Sequence, residues 1–241
     1  MLSKNQHKLI TSLHQKKYRN QHQLFVVEGV KVVNEFLSSS IQLEKLFCTE
    51  DYYNSNAKHT TQIITENELA KISNLSTPNK VLGLFKIPKP IVLDDKGLIL
   101  VLDTINDPGN LGTIIRLCDW FGVTKLVCSK NTVDCYNAKV VQATMGSLSR
   151  LPVVYTDLES YLSAIELPVY GAIMKGENIY KTKIKKDAIL VMGSESNGIS
   201  KDIEGFLTQK ITIPRFDKNN STESLNVATA TAILLNEFRR S

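Results

Sequence analysis

The sequence predicts an α/β protein of two domains, a small α/β unit followed by a larger one built on a parallel sheet. Three observations predict it. The chain has 241 residues, more than the roughly 100–150 of an average domain. Strand-like apolar runs alternate with helical stretches along its whole length, which favours parallel strands joined by crossover helices. Between the two halves, PKPIVLDDKG (88–97) brings two prolines, two aspartates and a glycine, a composition that limits regular structure.

In the first half, residues 3–17 read as a helix with Leu9, Ile10 and Leu13 on one side. LFVVE (24–28) is a strand and VKVVNEFLS (30–38) a helix. QLEKLFCT (42–49), TTQIIT (60–65) and VLGLFKI (81–87) are further strands, with a short helix at 66–73. These make a domain over 1–88, with a linker at 89–96. The second domain, 97–241, opens on GLILVLD (97–103), a nearly continuous apolar run typical of a strand buried on both faces. A helix follows from Leu111 to Phe121, then a strand at 125–128 and a helix at 137–146. LPVVY (151–155), PVYGAIM (168–174), AILVMG (188–193) and ITIP (211–214) are strands, and the last helix covers about 224–239.

Composition narrows the function classes. Hydrophobic residues make up 42% and charged residues 22%, ordinary values for a folded soluble protein and unlike a disordered one. No run approaches the roughly 18 apolar residues of a membrane span, and the first residues lack the apolar stretch of a secretory signal. The expected compartment is the cytoplasm, with no membrane partner. Cys48, Cys118, Cys128 and Cys135 form no C-x-x-C pair and have no histidine beside them. They read as buried free thiols, and no metal site is expected. The net charge of +5 equals the charge of the first 27 residues, where Lys4, Lys8, Lys16, Lys17 and Arg19 precede any acid. Such an arm suits phosphate, because neutralising a nucleic-acid backbone releases condensed counterions; a solvated helix face is the alternative.

Three stretches carry the candidate chemistry. The first is LILVLD running into TINDPGNLGTIIR. Asn110 is placed to cap the following helix, Gly112 allows close backbone approach, and Arg116 is expected to face inward one to two turns on. Ligands of open parallel sheets bind beyond the strands' carboxyl ends, where these residues fall. A plain strand–turn–helix with a salt-bridged arginine is the competing interpretation. The second is AILVMGSESNGIS, a buried strand entering a loop with Gly193 and Gly198 and with Glu195 at its tip. It matches neither a Walker A loop nor the dinucleotide fingerprint. The third is ITIPRFDKNNSTESLNVATATAILLNEF. Here Ser224 is the expected cap, Asn226 lies in the first turn, and Ala228, Ala230 and Ala232 thin the helix. All four histidines precede residue 60, so a Ser-His-Asp triad confined to the second domain is excluded.

These motifs resemble those of the SpoU (TrmH) family of RNA 2′-O-ribose methyltransferases, in the SPOUT superfamily. The similarity lies in N-x-G-x-x-x-R at Asn110, Gly112 and Arg116, in LVMGSESNGIS, and in Ile213-Pro214 followed by Ser224-Leu225-Asn226. It covers about 97–241. FVVEG (25–29) and Ser76-Thr77-Pro78 in the first domain are similar to the family's substrate-binding module. The resemblance implies a small α/β RNA-binding domain before a parallel-sheet domain with a C-terminal trefoil knot, an exception to the avoidance of knots. It also implies a homodimer and S-adenosyl-L-methionine as cofactor, held at Gly193, Ile213 and Leu225. Arg116 would be catalytic, with Asn110, Glu195, Ser224 and Asn226 shaping the site. The loop from Arg215 to Glu223 is longer than the family's compact glycine-containing form and lacks glycine.

The implied reaction methylates a ribose 2′-hydroxyl of structured RNA, foremost ribosomal RNA. Arginine stays protonated in proteins. Arg116 is therefore expected to hold a phosphate or the developing oxyanion while a phosphate oxygen or Glu195 receives the proton. A transfer RNA methyltransferase, a non-catalytic RNA-binding protein on the same scaffold, and a dinucleotide enzyme are the alternatives.

Overall fold

A computed structural model of the chain describes residues 1–56, 61–89, 94–216 and 224–240. By contacts the chain forms two compact units. One comprises residues 1–90 with 134–150, the other 91–133 with 151–241. The segment 134–150, expected in the second domain, belongs to the first unit. Four residues of the expected linker, 90–93, lie outside the described residues.

The first unit opens with α1 (Lys4–Ser12), started by a capping box between Ser3 and Gln6, and α2 (Lys16–His22). The single expected helix over 3–17 is thus two, because Gln15 is extended (φ −96°, ψ 133°) and breaks the run. There follow β1 (Leu24–Glu28), α3 (Val30–Leu37), β2 (Leu43–Cys48), α4 (Glu50–Asn56), β3 (Thr61–Ile63), α5 (Glu66–Ala70) and β4 (Val81–Lys86). The strands form one mixed sheet in the order β1-β4-β2-β3, with β2 and β3 parallel and the other pairs antiparallel. One core cluster gathers Ile10 and Leu13 against Val26, Phe47, Leu69 and Leu84. That apolar side explains why the basic N-terminal segment folds down rather than extending as an arm.

The second unit is the parallel sheet that the apolar runs predict. Its elements are β5 (Leu98–Asp103), α6 (Pro108–Trp120), β6 (Lys125–Ser129), then, past the 134–150 excursion with α7 (Ala138–Ala143), β7 (Val153–Thr156), α8 (Leu158–Ser163) and β8 (Val169–Asn178). Finally come β9 (Ala188–Gly193), α9 (Lys201–Glu204), β10 (Gln209–Thr212) and α10 (Val227–Arg240). The order is β10-β8-β9-β5-β6-β7, and every pairing is parallel. Every residue of β5 and β9 is buried, as expected of central strands covered on both faces. Leu158 and Leu162 of α8 and Ile203 of α9 pack on the face carrying Ile99, Val101, Ile189 and Val191. α6 and α10 pack on one another, and α10 also meets β9.

The segment 134–150 binds its own unit tightly. Arg19 is only 2% exposed. It pairs with Asp134 at 2.5 Å and donates to the carbonyls of Leu13 (2.8 Å) and His14 (2.9 Å). Arg19 is therefore a structural cation, which corrects its place in the expected phosphate-binding arm. Tyr136 packs against Phe25 with the rings tilted by 44° and their centroids 4.7 Å apart.

Candidate active site

The site grows from two neighbouring strand ends. β5 and β9 pair in a register that sets Asp103 opposite Gly193, so the two chains leave the sheet side by side at its carboxyl edge. Asp103 is buried and accepts the Ser200 N–H at 2.8 Å and the Thr104 hydroxyl at 3.0 Å. It thereby pins the far end of the loop that β9 enters. That loop closes on itself through paired backbone bonds between Ser194 and Gly198, at 3.0 and 2.9 Å. Glycine is required at position 193, since a Cβ there would lie 2.0 Å from the Gly198 carbonyl carbon. The result is a tight hairpin that presents Glu195.

The first motif reaches the same place from β5. Asp107 caps α6 and accepts the Asn110 N–H at 2.7 Å, with Pro108 in the first turn. Asn110 is therefore not the cap that the sequence suggested. It sits inside the first turn, where its side-chain amide is free to point outward. α6 buries Leu111, Gly112, Ile114, Ile115 and Cys118. That stripe leaves Arg116 on the solvent side, exposed rather than inward-facing. Among the described residues the Arg116 side chain forms no hydrogen bond or ion pair, so the salt-bridged interpretation has no support.

The third motif closes the cluster. Asn226, not Ser224, caps α10: its Oδ1 accepts the N–H groups of Ala228 (3.0 Å) and Thr229 (3.3 Å). Its Nδ2 donates to Glu195 Oε1 at 2.7 Å and to Asn110 Oδ1 at 2.9 Å. Asn110 Nδ2 donates to the same Glu195 Oε1 at 3.0 Å, and the Val227 N–H reaches it at 3.3 Å. Three residues from three separate motifs, as much as 116 positions apart, thus form one triangle. Glu195 Oε2 keeps no hydrogen bond among the described residues.

Of the remaining expected site residues, Gly193 is buried at the end of β9, and Ile213 is half-buried just past β10. Ser224 is exposed, and Leu225, 47% exposed, immediately precedes the triangle. Most of the long loop of the third motif, 217–223, lies outside the described residues. Sequence reasoning missed Asp103 and Asp107. Both had a signal: a carboxylate closing an otherwise apolar strand, and an Asp before Pro at a helix start. Burial pushes the thiols of Cys118 and Cys128 up, so neither is a thiolate nucleophile.

An anchored carboxylate and two amides beyond the carboxyl ends of parallel strands make a site for polar substrate; Arg116 lies six residues past Asn110 on the exposed side of α6. Comparison with known proteins gives the chain a family. The SpoU rRNA Methylase family matches residues 97–236, and an MRM3-like substrate binding domain matches residues 4–83. The chain is 30% identical over 234 residues to the 23S rRNA (guanosine(2553)-2′-O)-methyltransferase RlmP of Bacillus subtilis, covering 94% of this chain and 93% of that protein. A structure assigned to an RNA methyltransferase of the TrmH family from Porphyromonas gingivalis superposes with a TM-score of 0.91 at 38% identity, over 100% of this chain and 99% of the other. The AdoMet-bound rRNA methyltransferase of Sinorhizobium meliloti gives 0.88 at 27% identity, over 100% and 96%. The chain belongs to the SpoU rRNA methylase family.

Proposed function

We propose that this protein transfers the methyl group of S-adenosyl-L-methionine to a ribose 2′-hydroxyl of ribosomal RNA. The observation that carries it is the Asn110–Glu195–Asn226 triangle, which joins the three family motifs at one sheet edge. The relatives named for guanosine in 23S RNA favour a guanosine of the large-subunit RNA.

The strand exits suit the cofactor. The hairpin after Gly193 is too close-packed for any side chain at its root. Half-buried Ile213 and half-exposed Leu225 add apolar surface beside backbone N–H and C=O groups. Gly193, Ile213 and Leu225 would hold the adenosyl and methionyl parts. When bound, the cofactor supplies an electrophilic sulfonium methyl. The chain's own residues do the rest. A ribose hydroxyl is a poor nucleophile until its proton is partly removed. Arg116, exposed and permanently charged, holds a substrate phosphate or the oxyanion as it develops. Asn110 and Asn226 fix Glu195 through Oε1, leaving Oε2 to orient the ribose or take its proton; a substrate phosphate oxygen is the other acceptor. Ser224 lines the same rim.

The proposal includes a homodimer. Its support is α6, where Arg116 and Trp120, four residues apart, share a face and the indole is 84% exposed. It also includes the C-terminal knot, which rests on membership of the family. The proposal places the protein in the cytoplasm, on the ground that its four buried cysteines form no disulfide. Incubation with methyl-labelled cofactor and ribosomal or transfer RNA, followed by digestion to nucleosides, tests the reaction. Label in 2′-O-methylnucleosides of ribosomal RNA, undiminished by EDTA, is expected. Label on bases, label in transfer RNA alone, or none would overturn the proposal.

A further inference from the structure

The N-terminal helices do not hold the densest positive charge in the chain. Residues 175–186 carry Lys175, Lys181, Lys183, Lys185 and Lys186 against a single acid, Glu177. All five lysines are exposed. Among the described residues none forms an ion pair, whereas Lys80, Lys86, Lys96, Lys125 and Lys210 each meet a carboxylate. The nearest acids are engaged elsewhere: Glu177 accepts from Gln209 at 2.8 Å, and Asp187 accepts the Gly97 N–H at 2.7 Å.

The segment is anchored on its inner side. Thr182 and Ile184 are half-buried while Lys181, Lys183 and Lys185 between them face solvent. The Thr182 hydroxyl donates to the Asn178 carbonyl at 3.0 Å. Tyr170, a buried residue of β8, donates its hydroxyl to the Lys183 carbonyl and accepts the Lys185 N–H, both at 3.4 Å. Its ring packs edge-on against Phe238 of α10, 5.3 Å between centroids. This alternation aims three ammonium groups outward from a fixed backbone, with successive side chains on one side roughly 6.6 Å apart if extended. Tyr180, 45% exposed, sits directly before Lys181 and offers a ring face on which a base can stack.

We propose that Lys175–Lys186 is a docking surface for the phosphates of the RNA substrate, carried by the catalytic unit itself. It rests on the ribosomal RNA reading above. Lysines bind phosphate as point charges, without reading sequence, so the surface adds affinity and registers the duplex or strand while specificity lies elsewhere. The interleaved aromatic favours RNA over an acidic protein or an anionic membrane.

The test uses the full-length protein with Lys181, Lys183, Lys185 and Lys186 all changed to Gln, and a second variant with all four changed to Arg. Dissociation constants for a ribosomal RNA transcript are measured against salt. Each lost phosphate contact flattens the log–log slope by about 0.7–0.9, so the Gln variant should lose about 3 units of slope and the Arg variant almost none. Cofactor affinity by calorimetry and the single-turnover rate at saturating RNA should stay at wild-type values. A folded Gln variant with the wild-type slope overturns the proposal. So does loss of binding to phosphatidylserine vesicles, or to a polyglutamate peptide, with the RNA slope intact. Methylation of ribosomal RNA by the wild type in those cases keeps the function and removes only the surface. A wild type that binds no RNA removes both.

Discussion

Replacing Asn226 by alanine and by serine separates two jobs that one side chain performs. Its Oδ1 caps α10 through Ala228 and Thr229, and its Nδ2 ties the cap to Glu195 and Asn110. Loss of an N-cap costs about 1 kcal/mol. The two amide bonds are exposed, so each falls at the low end of the range for neutral hydrogen bonds, about 0.5 kcal/mol. Asn226→Ala should therefore cost about 2 kcal/mol, a fall of about 4–8 °C in melting temperature for a chain of this size. Serine caps as well as asparagine but cannot reach across, so Asn226→Ser should lose only about half of that. Both variants release Glu195 from its position. Misplacing a catalytic group by an ångström costs about 10²-fold, so both should be slower by about that factor in single turnover. Melting curves and single-turnover rates on the same preparations decide it. An Asn226→Ser variant with a wild-type rate would show that Asn226 is only a cap and that the triangle has no part in the reaction.

Three further outcomes follow from individual side chains. Arg116→Ala should lower the single-turnover rate by about 10²–10³ with cofactor affinity unchanged; Arg116→Lys should also be slow, lacking the planar fork. Glu68 is held below its ordinary 4.5 by the backbone N–H groups of Thr65 and then Leu2. A depressed folded-state pKa gives stability that is present above the ordinary value and lost as pH falls through the lowered one. The melting-temperature gap between wild type and Glu68→Gln should thus be open near neutrality and close on acidification; a gap that widens in acid would contradict the assignment. If α6 carries the interface of the proposed homodimer, Trp120→Glu should leave a monomer in sedimentation experiments where the wild type is a dimer; a dimeric variant would place the interface elsewhere.

The parts of the fold readable in the sequence are those with a long signal. The apolar runs of β5 and β9 are buried on both faces because helices cover both, and the motifs at their ends converge because the strands pair in register. The short helices α4, α8 and α9 are missing from the sequence reading, and length alone does not explain it, since α5 and α7, of five and six residues, are in it. β8 runs on to Asn178, beyond the expected 174, where its pairing with β10 shifts register between Lys210 and Ile211. Both expected caps were displaced by a neighbour: Asp107 outcompetes Asn110, and Asn226 takes the place given to Ser224. Arg116 was misdirected although the stripe Leu111, Ile114, Ile115 and Cys118 already implied an outward position. Arg19 could not have been read from local sequence, since its partner Asp134 lies 115 residues away.

The most direct test of the central claim is to map 2′-O-methylation across the ribosomal and transfer RNA of the host with and without the gene. Loss of one ribose methyl in ribosomal RNA, restored by the wild-type gene and not by Arg116→Ala, is the expected result. Identical ribose methylation in the two strains, or a loss confined to transfer RNA, would contradict it.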